Sequence, residues 1–185
     1  MLEDVIKDLR GGNDKAIDAL RRELSKVRTG RAHAGMLDSL RVDYYGVSTP
    51  ITQMATVAVP EPRLITVKPW EKGQAKAIEK AIREGDLGLN PQVDGEFIRI
   101  PIPALTEERR TEMVKLTKRH GEDCKVAIRK HRREANEMID ALDKDGDVST
   151  DEAERAKKKV EEIVADATKQ VDGIIASKEK EILEV

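Results

Sequence analysis

The chain has 185 residues, with 34 Lys and Arg against 36 Asp and Glu, and its aromatic residues are one Trp, two Tyr and one Phe. A net charge of −2 does not predict a polyanion partner, so any nucleic-acid surface has to come from local segregation of charge. Because 38% of the residues are charged and so few are aromatic, thin exposed helices with an aliphatic seam are favoured over a thick globular core.

The first predicted element is a helix from Leu2 to about Arg28, stopped by Thr29-Gly30. Its apolar residues recur with helical spacing, at Leu2, Val5, Ile6, Leu9, Ala16, Leu20, Leu24 and Val27. Gly11-Gly12 lies inside this pattern and costs about 1 kcal/mol per glycine relative to alanine. The first turns are therefore expected to bend or fray at this pair.

The cellular setting is predicted from three features. Glu3 and Asp4 are acidic where a targeting peptide would be basic, and no apolar run approaches membrane-spanning length. The single cysteine excludes an internal disulfide and fits a reducing compartment. We expect a soluble cytoplasmic protein with no membrane partner.

Between about Gly30 and Ala104 the pattern changes to short strands and turns. Strands are predicted at 40–45, 55–59, 64–67 and 97–102, and a short amphipathic helix at 73–84. Tyr44 and Tyr45 are expected on opposite faces of the first strand, with one of them in the core. Base stacking by the other is a minor alternative.

The longest predicted helix spans Leu105 to Asp143, with Thr106 as its N-cap. At 1.5 Å per residue it would be about 55–60 Å long. Its expected seam is Met113, Leu116, His120, Cys124, Ala127, His131, Ala135, Met138 and Leu142. A third helix is predicted from Ser149 to Leu183, with a seam close to a heptad at Ala153, Ala156, Val160, Ile163, Ala167, Val171, Ile174 and Ile182.

These segments predict an α+β fold. Residues 1–29 and 105–185 are expected to form an antiparallel three-helix bundle, with residues 30–104 inserted as a small β/α/β domain. Two short connections join the domains, which predicts a hinge and an L-shaped outline. The expected hinge residues are Thr29, Gly30, Arg31, Pro103, Ala104 and Leu105. A monomer is expected.

The long helix carries a segregated basic surface. Residues 115–133 contain eight cations against two acids: Lys115, Lys118, Arg119, Lys125, Arg129, Lys130, Arg132 and Arg133 against Glu122 and Asp123. The spacing of Lys118, Lys125, Arg129 and Arg132 predicts one solvent-facing stripe. Arg109, Arg110, Arg28 and Arg31 extend it toward the domain junction.

Guanidinium groups arranged along a rod can contact successive phosphates of a folded RNA. The alternative interpretation is a solvated face whose cations pair with acids of the third helix, such as Glu154, Glu161 and Glu162. The density of uncompensated cations weakens that alternative, because surface pairing would be expected to show more interleaved acids.

Two patterns resemble metal sites. Asp143, Asp145, Asp147, Ser149, Asp151 and Glu154 match the ligand positions of a calcium loop, but Val148 stands where that loop needs glycine. An acidic turn with Ser149 or Thr150 as N-cap is therefore favoured. His120, Cys124 and His131 share one helix face, where ordinary burial is favoured over a metal. No phosphate-binding loop or catalytic constellation is found, so neither an enzyme, a cofactor nor a metal is predicted.

Six ordered segments carry a family resemblance. They are Lys26-Val-Arg-Thr-Gly-Arg-Ala32, Tyr44-Tyr45-Gly46, Asp86-Leu-Gly-Leu-Asn-Pro91, Arg99-Ile-Pro-Ile-Pro103, Leu105-Thr-Glu-Glu-Arg-Arg110 and Arg129-Lys-His-Arg-Arg-Glu-Ala-Asn136. Together they resemble the signatures of bacterial ribosome recycling factors, in the same order and across essentially the whole chain. The resemblance implies a three-helix bundle with a β/α/β domain at a hinge and a tRNA-like outline.

The resemblance also implies a function in translation. Members bind the large ribosomal subunit after termination and act with elongation factor G and its GTP hydrolysis to split the ribosome, which frees mRNA and deacylated tRNA. The family's ribosomal-RNA anchor corresponds to Arg132, with Arg129 and Arg133 on the same surface. Lys130 and His131 depart from the family pattern beside that arginine. Two other classes are kept as alternatives: a helical interaction module or chaperone-like clamp for an acidic protein, and a calcium sensor.

Overall fold

The computed structural model describes residues 1–184, which divide into two compact units: a helical unit, residues 1–29 and 107–184, and an inserted unit, residues 30–106. The elements in chain order are α1 (Leu2–Ser25), β1 (Arg41–Tyr44), β2 (Val47–Pro50), β3 (Ala55–Glu61), β4 (Leu64–Pro69), α2 (Ala75–Glu84), β5 (Gln92–Asp94), β6 (Phe97–Pro101), α3 (Glu107–Lys144) and α4 (Thr150–Leu183). The predicted α+β fold is confirmed. Within residues 1–184, no helix combines the length and the apolar character that crossing a membrane requires.

The helical unit packs α1, α3 and α4 around a shared aliphatic core. Near one end, Val5 and Leu9 of α1 pack with Ala135 and Ile139 of α3. Toward the other end, Leu24 of α1 lies in a cluster with residues of the first turns of α3 and the last turns of α4. The amino-terminal part of α1 thus meets the carboxyl-terminal part of α3, so these two helices are antiparallel.

The glycine pair in α1 does not interrupt the helix. α1 is continuous from Leu2 to Ser25, so the expected fraying at Gly11-Gly12 is wrong. Gly12 instead permits a close helix contact: a Cβ added there would lie 3.1 Å from two ring atoms of His131 on α3. Packing of the two helices thus offsets the poor helix propensity of glycine.

The buried seam of α3 differs from the predicted one. Its buried residues are Thr117, Gly121, Cys124, Ile128, Ala135 and Ile139. Cys124 and Ala135 were expected there, but Met138 is 51% exposed and its neighbour Ile139 is fully buried. The remaining predicted seam residues of α3 are half-buried. Because α3 packs against both α1 and α4, its buried face is broader than one heptad line and is centred between the two contacts.

The start of α4 follows the prediction closely. Ser149 is the N-cap, and it forms a capping box with Glu152, whose backbone N–H donates to the Ser149 hydroxyl at 3.2 Å. The Glu152 carboxylate accepts in return from the Ser149 backbone N–H at 2.8 Å. The box satisfies backbone donors that the helix cannot pair internally. α4 then buries six residues of the predicted seam: Ala153, Ala156, Val160, Ala167, Val171 and Ile182.

In the inserted unit, strands within residues 1–184 form a hairpin of β1 and β2 and an antiparallel sheet of order β3-β4-β6-β5. Ile65 and Val67 of β4 pair with Ile100 and Ile98 of β6 and are fully buried with them. Ile78 and Ile82 of α2 belong to the same core. β2 and β5 are not among the predicted strands, because both are short and have no buried residue to generate a period of two.

The two adjacent tyrosines do not occupy one strand. β1 ends at Tyr44, which is half-buried, whereas Tyr45 lies in the turn to β2 with φ 49° and is 77% exposed. The expectation that both residues point to opposite faces of a strand is therefore wrong. The chain turns one residue earlier than the aromatic pair suggested.

Candidate nucleic-acid interface

The candidate interface is the outward side of α3. The apolar residues of α3 recur with the helical period and face the core, so the basic residues between them face solvent. Lys118, Arg129, Arg132 and Arg133 are exposed, and Lys125 is half-buried. The predicted stripe is therefore accessible. Each of these five cations nevertheless has a carboxylate partner, and the partners fall into two classes.

The first class joins α3 to α4. Lys125 Nζ lies 2.6 Å from an oxygen of Asp172, Arg132 Nε lies 2.7 Å from Glu161, and Lys118 Nζ lies 3.9 Å from Glu179. Lys157 of α4 reaches back to Asp140 of α3. Successive partners run in opposite directions along the two helices, as an antiparallel pair requires. This ladder corresponds to the alternative interpretation, and Glu161 is one of the acids named there.

The second class lies within α3. Arg129 donates to Glu122 at 2.7 Å, and this hydrogen bond is the main cause that lowers the pKa of the Glu122 carboxyl below its ordinary value. Arg133 is 3.9 Å from Glu137, and Arg109 is 3.5 Å from Glu112. All these side chains are more than half exposed, so water and salt screen each pair and it adds little to stability. Replacing the carboxylate partner in such a pair by a phosphate would therefore require little free energy.

Two of the eight cations in residues 115–133 have no carboxylate partner among the described residues. Lys115 and Arg119 are exposed and four residues apart, which places them on one face of the helix. Neither has an ion pair among residues 1–184. Both belong to the basic run of α3, but neither is among the predicted RNA-contact residues. Pairing cannot be deduced from spacing along one helix when the acids come from another.

The remaining predicted arginines are distributed between the units. Arg28, Arg109 and Arg110 belong to the helical unit, at the end where α1 finishes and α3 begins, and Arg31 belongs to the inserted unit. Arg28 is exposed. Arg110 is half-buried, and its Nε is enclosed without a hydrogen-bond partner among the described residues. An enclosed guanidinium nitrogen of this kind retains an unmet demand for an acceptor.

The predicted hinge residues flank the division into units. The first boundary falls between Thr29 and Gly30, and the second between Thr106 and Glu107, one residue beyond the predicted 103–105 connection. Thr29 is buried, and Gly30 has φ 76°, a left-handed conformation that favours glycine.

The suspected metal patterns are occupied by ordinary contacts. No group of three or more His, Cys, Asp or Glu in residues 1–184 is arranged to hold a metal ion. Cys124 is buried, and burial raises the pKa of its thiol. His131 Nδ1 lies 3.3 Å from Asn13 Oδ1 of α1. In the acidic turn, Thr150 donates to Asp143 at 3.1 Å.

Comparisons with known proteins give one consistent result. A family model described as ribosome recycling factor matches residues 20–183. The ribosome-recycling factor of Sorangium cellulosum is 77% identical over 185 residues and covers 100% of both chains. That of Anaeromyxobacter dehalogenans is 55% identical over 183 residues, covering 99% of this chain and 97% of its own.

Two solved structures extend the likeness to the fold. A solution structure of a ribosome recycling factor is 38% identical, with a TM-score of 0.76, over 100% of this chain and 98% of its own. The second belongs to models of the T. thermophilus ribosome recycling factor and the E. coli elongation factor G bound to the E. coli post-termination complex. It is 40% identical, with a TM-score of 0.65, over 99% of both chains.

Proposed function

Because this chain belongs to the ribosome recycling factor family, we propose that it binds the large ribosomal subunit of post-termination complexes. With elongation factor G and GTP it splits the ribosome, releasing mRNA and deacylated tRNA. It acts as a cytoplasmic monomer and has no catalytic residues of its own. The observation that carries the proposal is the outward basic side of α3.

The proposed contact surface for ribosomal RNA is this basic side of α3, centred on Arg132, and is called the RNA handle below. Only Nε of Arg132 is engaged by Glu161 among the described residues, and the side chain is 46% exposed. A phosphate can therefore approach the terminal nitrogens of the guanidinium, which bind phosphate oxygens in pairs. Arg129, Arg133, Lys125 and Lys118 contribute by the same exchange of an exposed carboxylate for a phosphate. Arg28, Arg109 and Arg110 extend the surface within the helical unit, and Arg31 is a separate proposed contact in the inserted unit.

The exchange is favourable for a physical reason. An exposed intramolecular ion pair contributes at most about 1 kcal/mol, because water and salt screen it. RNA phosphates form a dense line of charge, and neutralising several of them releases counterions into solution. One phosphate contact therefore gains little, whereas a rod that follows the backbone gains several contacts together.

The GTP is hydrolysed by elongation factor G in this proposal. No phosphate-binding loop motif occurs in the sequence, and a similar structure belongs to a recycling factor studied with that GTPase on a post-termination complex. The inserted unit moves about the residues 29–31 and 103–105 when the GTPase acts. The distribution of distances between dyes on the two units, measured by energy transfer, should broaden or shift when elongation factor G and GTP are added. An unchanged distribution would refute the hinge.

The direct test is splitting of purified post-termination ribosomes, followed by light scattering. The protein with elongation factor G and GTP should convert 70S ribosomes into subunits, and omission of either protein or of GTP should prevent it. If the protein binds the large subunit but never accelerates splitting, only the binding part of the proposal stands. A protein that does neither would refute the proposal.

A further inference from the structure

The tip of the β1–β2 hairpin is strained. Tyr45 and Gly46 form its two-residue turn, with φ 49° and 82°, and both angles are positive. Such turns normally use Asn, Asp or Gly at the position that Tyr45 occupies, because a Cβ is crowded in the left-handed region. Tyr45 is the one residue other than glycine with positive φ in residues 1–184. The hairpin would form more easily with Gly, Asn or Asp at this position.

The Tyr45 side chain contributes little packing that would offset this backbone strain. Tyr45 is 77% exposed, and among residues 1–184 its ring packs edge to face against Tyr44, with 4.6 Å between the ring centroids. A costly backbone conformation that presents an exposed aromatic ring is the kind of outlier from which a functional role can be inferred. Aromatic side chains at exposed sites are common binding anchors.

The tip is held in place by its neighbours. Asp43 accepts a hydrogen bond from the Gly46 backbone N–H at 2.8 Å, which closes the turn. Tyr44 donates from its hydroxyl to Glu71 at 2.5 Å, and this bond is the main cause that raises the pKa of the Tyr44 phenol. Tyr44 thus supports the Tyr45 ring from one side and is itself fixed to Glu71. A preorganised aromatic tip loses little entropy on binding.

The charge around the tip favours a cation. Residues 41–50 contain one acid, Asp43, and one base, Arg41, and Glu71 adds a second carboxylate beside the tyrosines. The faces of aromatic rings also attract cations. Arg41 lies at the opposite end of the hairpin, where it pairs with Pro50, and Lys72, the residue after Glu71, forms its ion pair with Glu96. The two carboxylates therefore dominate the charge beside the tip and would repel phosphate groups, so a nucleic acid is a poor occupant. An arginine or lysine side chain complements both the rings and the acids.

We propose that Tyr45, backed by Tyr44 and Glu71, is a docking surface for an arginine or lysine side chain of a protein partner. The inference rests on the proposed function, because the partner is expected within the post-termination complex or its GTPase. It differs from the handle on α3 in ligand class: α3 binds RNA through cations, whereas the hairpin tip binds a protein cation through aromatic rings and carboxylates.

Substitution of Tyr45 separates this role from a structural one. Tyr45→Gly removes both the ring and the strain, so the protein should be at least as stable to heat as the wild type while splitting falls about two- to fivefold. Tyr45→Trp and Tyr45→Phe should retain wild-type splitting, and Tyr45→Leu should behave like Tyr45→Gly. Val93→Ala, at another exposed apolar residue of the inserted unit, is the matched control and should have no effect.

The outcomes are separable. A wild-type protein that fails to split ribosomes refutes the proposed function. Wild-type activity together with equal activity of Tyr45→Gly and Tyr45→Leu overturns only the docking surface. The partner class is tested by placing the photocrosslinker p-benzoylphenylalanine at position 45 in purified post-termination complexes with elongation factor G. A crosslink to an Arg- or Lys-bearing protein segment, lost when Glu71→Gln is added, supports the inference; a crosslink to RNA alone, or none, overturns it.

Discussion

Nε of Arg132 on α3 donates to Oε1 of Glu161 on α4 at 2.7 Å, and both side chains are about half exposed. The same guanidinium is the centre of the proposed RNA handle. Glu161 therefore has two effects on Arg132: it orients the side chain along the α3–α4 seam, and it competes with phosphate for the positive charge. Which effect dominates can be measured.

Competition predicts that Glu161→Gln tightens binding to the large ribosomal subunit. The amide can still accept from Nε, so orientation is retained, while the competing negative charge is removed. Exposed ion pairs are worth about 0.2–1 kcal/mol, which corresponds to a gain in affinity of roughly 1.4- to fivefold. Sedimentation of the labelled variant with purified large subunits measures it.

The matched control is Glu162→Gln, which removes the same charge from a neighbour that pairs with Lys159 on its own helix. It should change affinity less than Glu161→Gln does. If Glu161→Gln weakens binding, the carboxylate serves mainly to position Arg132, and the competition argument is wrong.

The glycine pair of α1 predicts two opposite outcomes from the same substitution. At Gly11 an added Cβ meets nothing within 4 Å, so Gly11→Ala should stabilise the helix by about 0.5–1 kcal/mol. At Gly12 it meets the His131 ring at 3.1 Å, so Gly12→Ala has to displace a ring that lies beside buried Asn13. The free energy of unfolding, from urea titration followed by helical circular dichroism, should be higher for Gly11→Ala. Equal values for the two variants would show that the His131 contact is soft.

The capping box of α4 predicts a specific acid dependence. Hydrogen bonds from Ser149, led by its backbone N–H, lower the pKa of Glu152 below its ordinary 4.5. Because the folded-state pKa is the lower one, this contribution to stability is complete above the unfolded value and is lost as pH falls through the folded value. Glu152→Gln keeps an acceptor but cannot titrate, so its melting temperature should fall less steeply below pH 4.5 than that of the wild type.

Two further variants serve as controls for this measurement. Ser149→Ala removes the cap itself and should cost about 1 kcal/mol at neutral pH. Glu154→Gln, which alters an acid of α4 outside the capping box, should leave the acid slope close to that of the wild type. An unchanged slope in Glu152→Gln would assign the acid sensitivity to other groups.

Much of the fold could be predicted because the relevant signals are local. The α4 seam and its Ser149 cap follow from residues within a few turns of each other. The α3 seam was less accurate, since Met138 and Ile139 are equally apolar in sequence and only packing against two helices decides that Ile139 is buried. β5 was missed because its pairing with β6 depends on a neighbour rather than on its own pattern.

The candidate site shows the same limit. The basic residues of α3 could be identified from their density along the chain. Their partners could not, because Asp172 and Glu161 reach Lys125 and Arg132 from α4, across a register that only the folded bundle defines. The strain at Tyr45 was also invisible, since the residues around it resemble a strand until the backbone turns.

The most direct test of the RNA handle is the salt dependence of large-subunit binding by the wild type and by Arg132→Ala. The wild type should lose affinity steeply as salt rises, with a slope in log–log form that reflects several released counterions. Arg132→Ala should bind about 5- to 150-fold more weakly, the equivalent of roughly 1–3 kcal/mol, with a slope shallower by about 1. Lys169→Ala, an equal charge change on exposed α4, should match the wild type. An unchanged affinity and slope for Arg132→Ala would contradict the account.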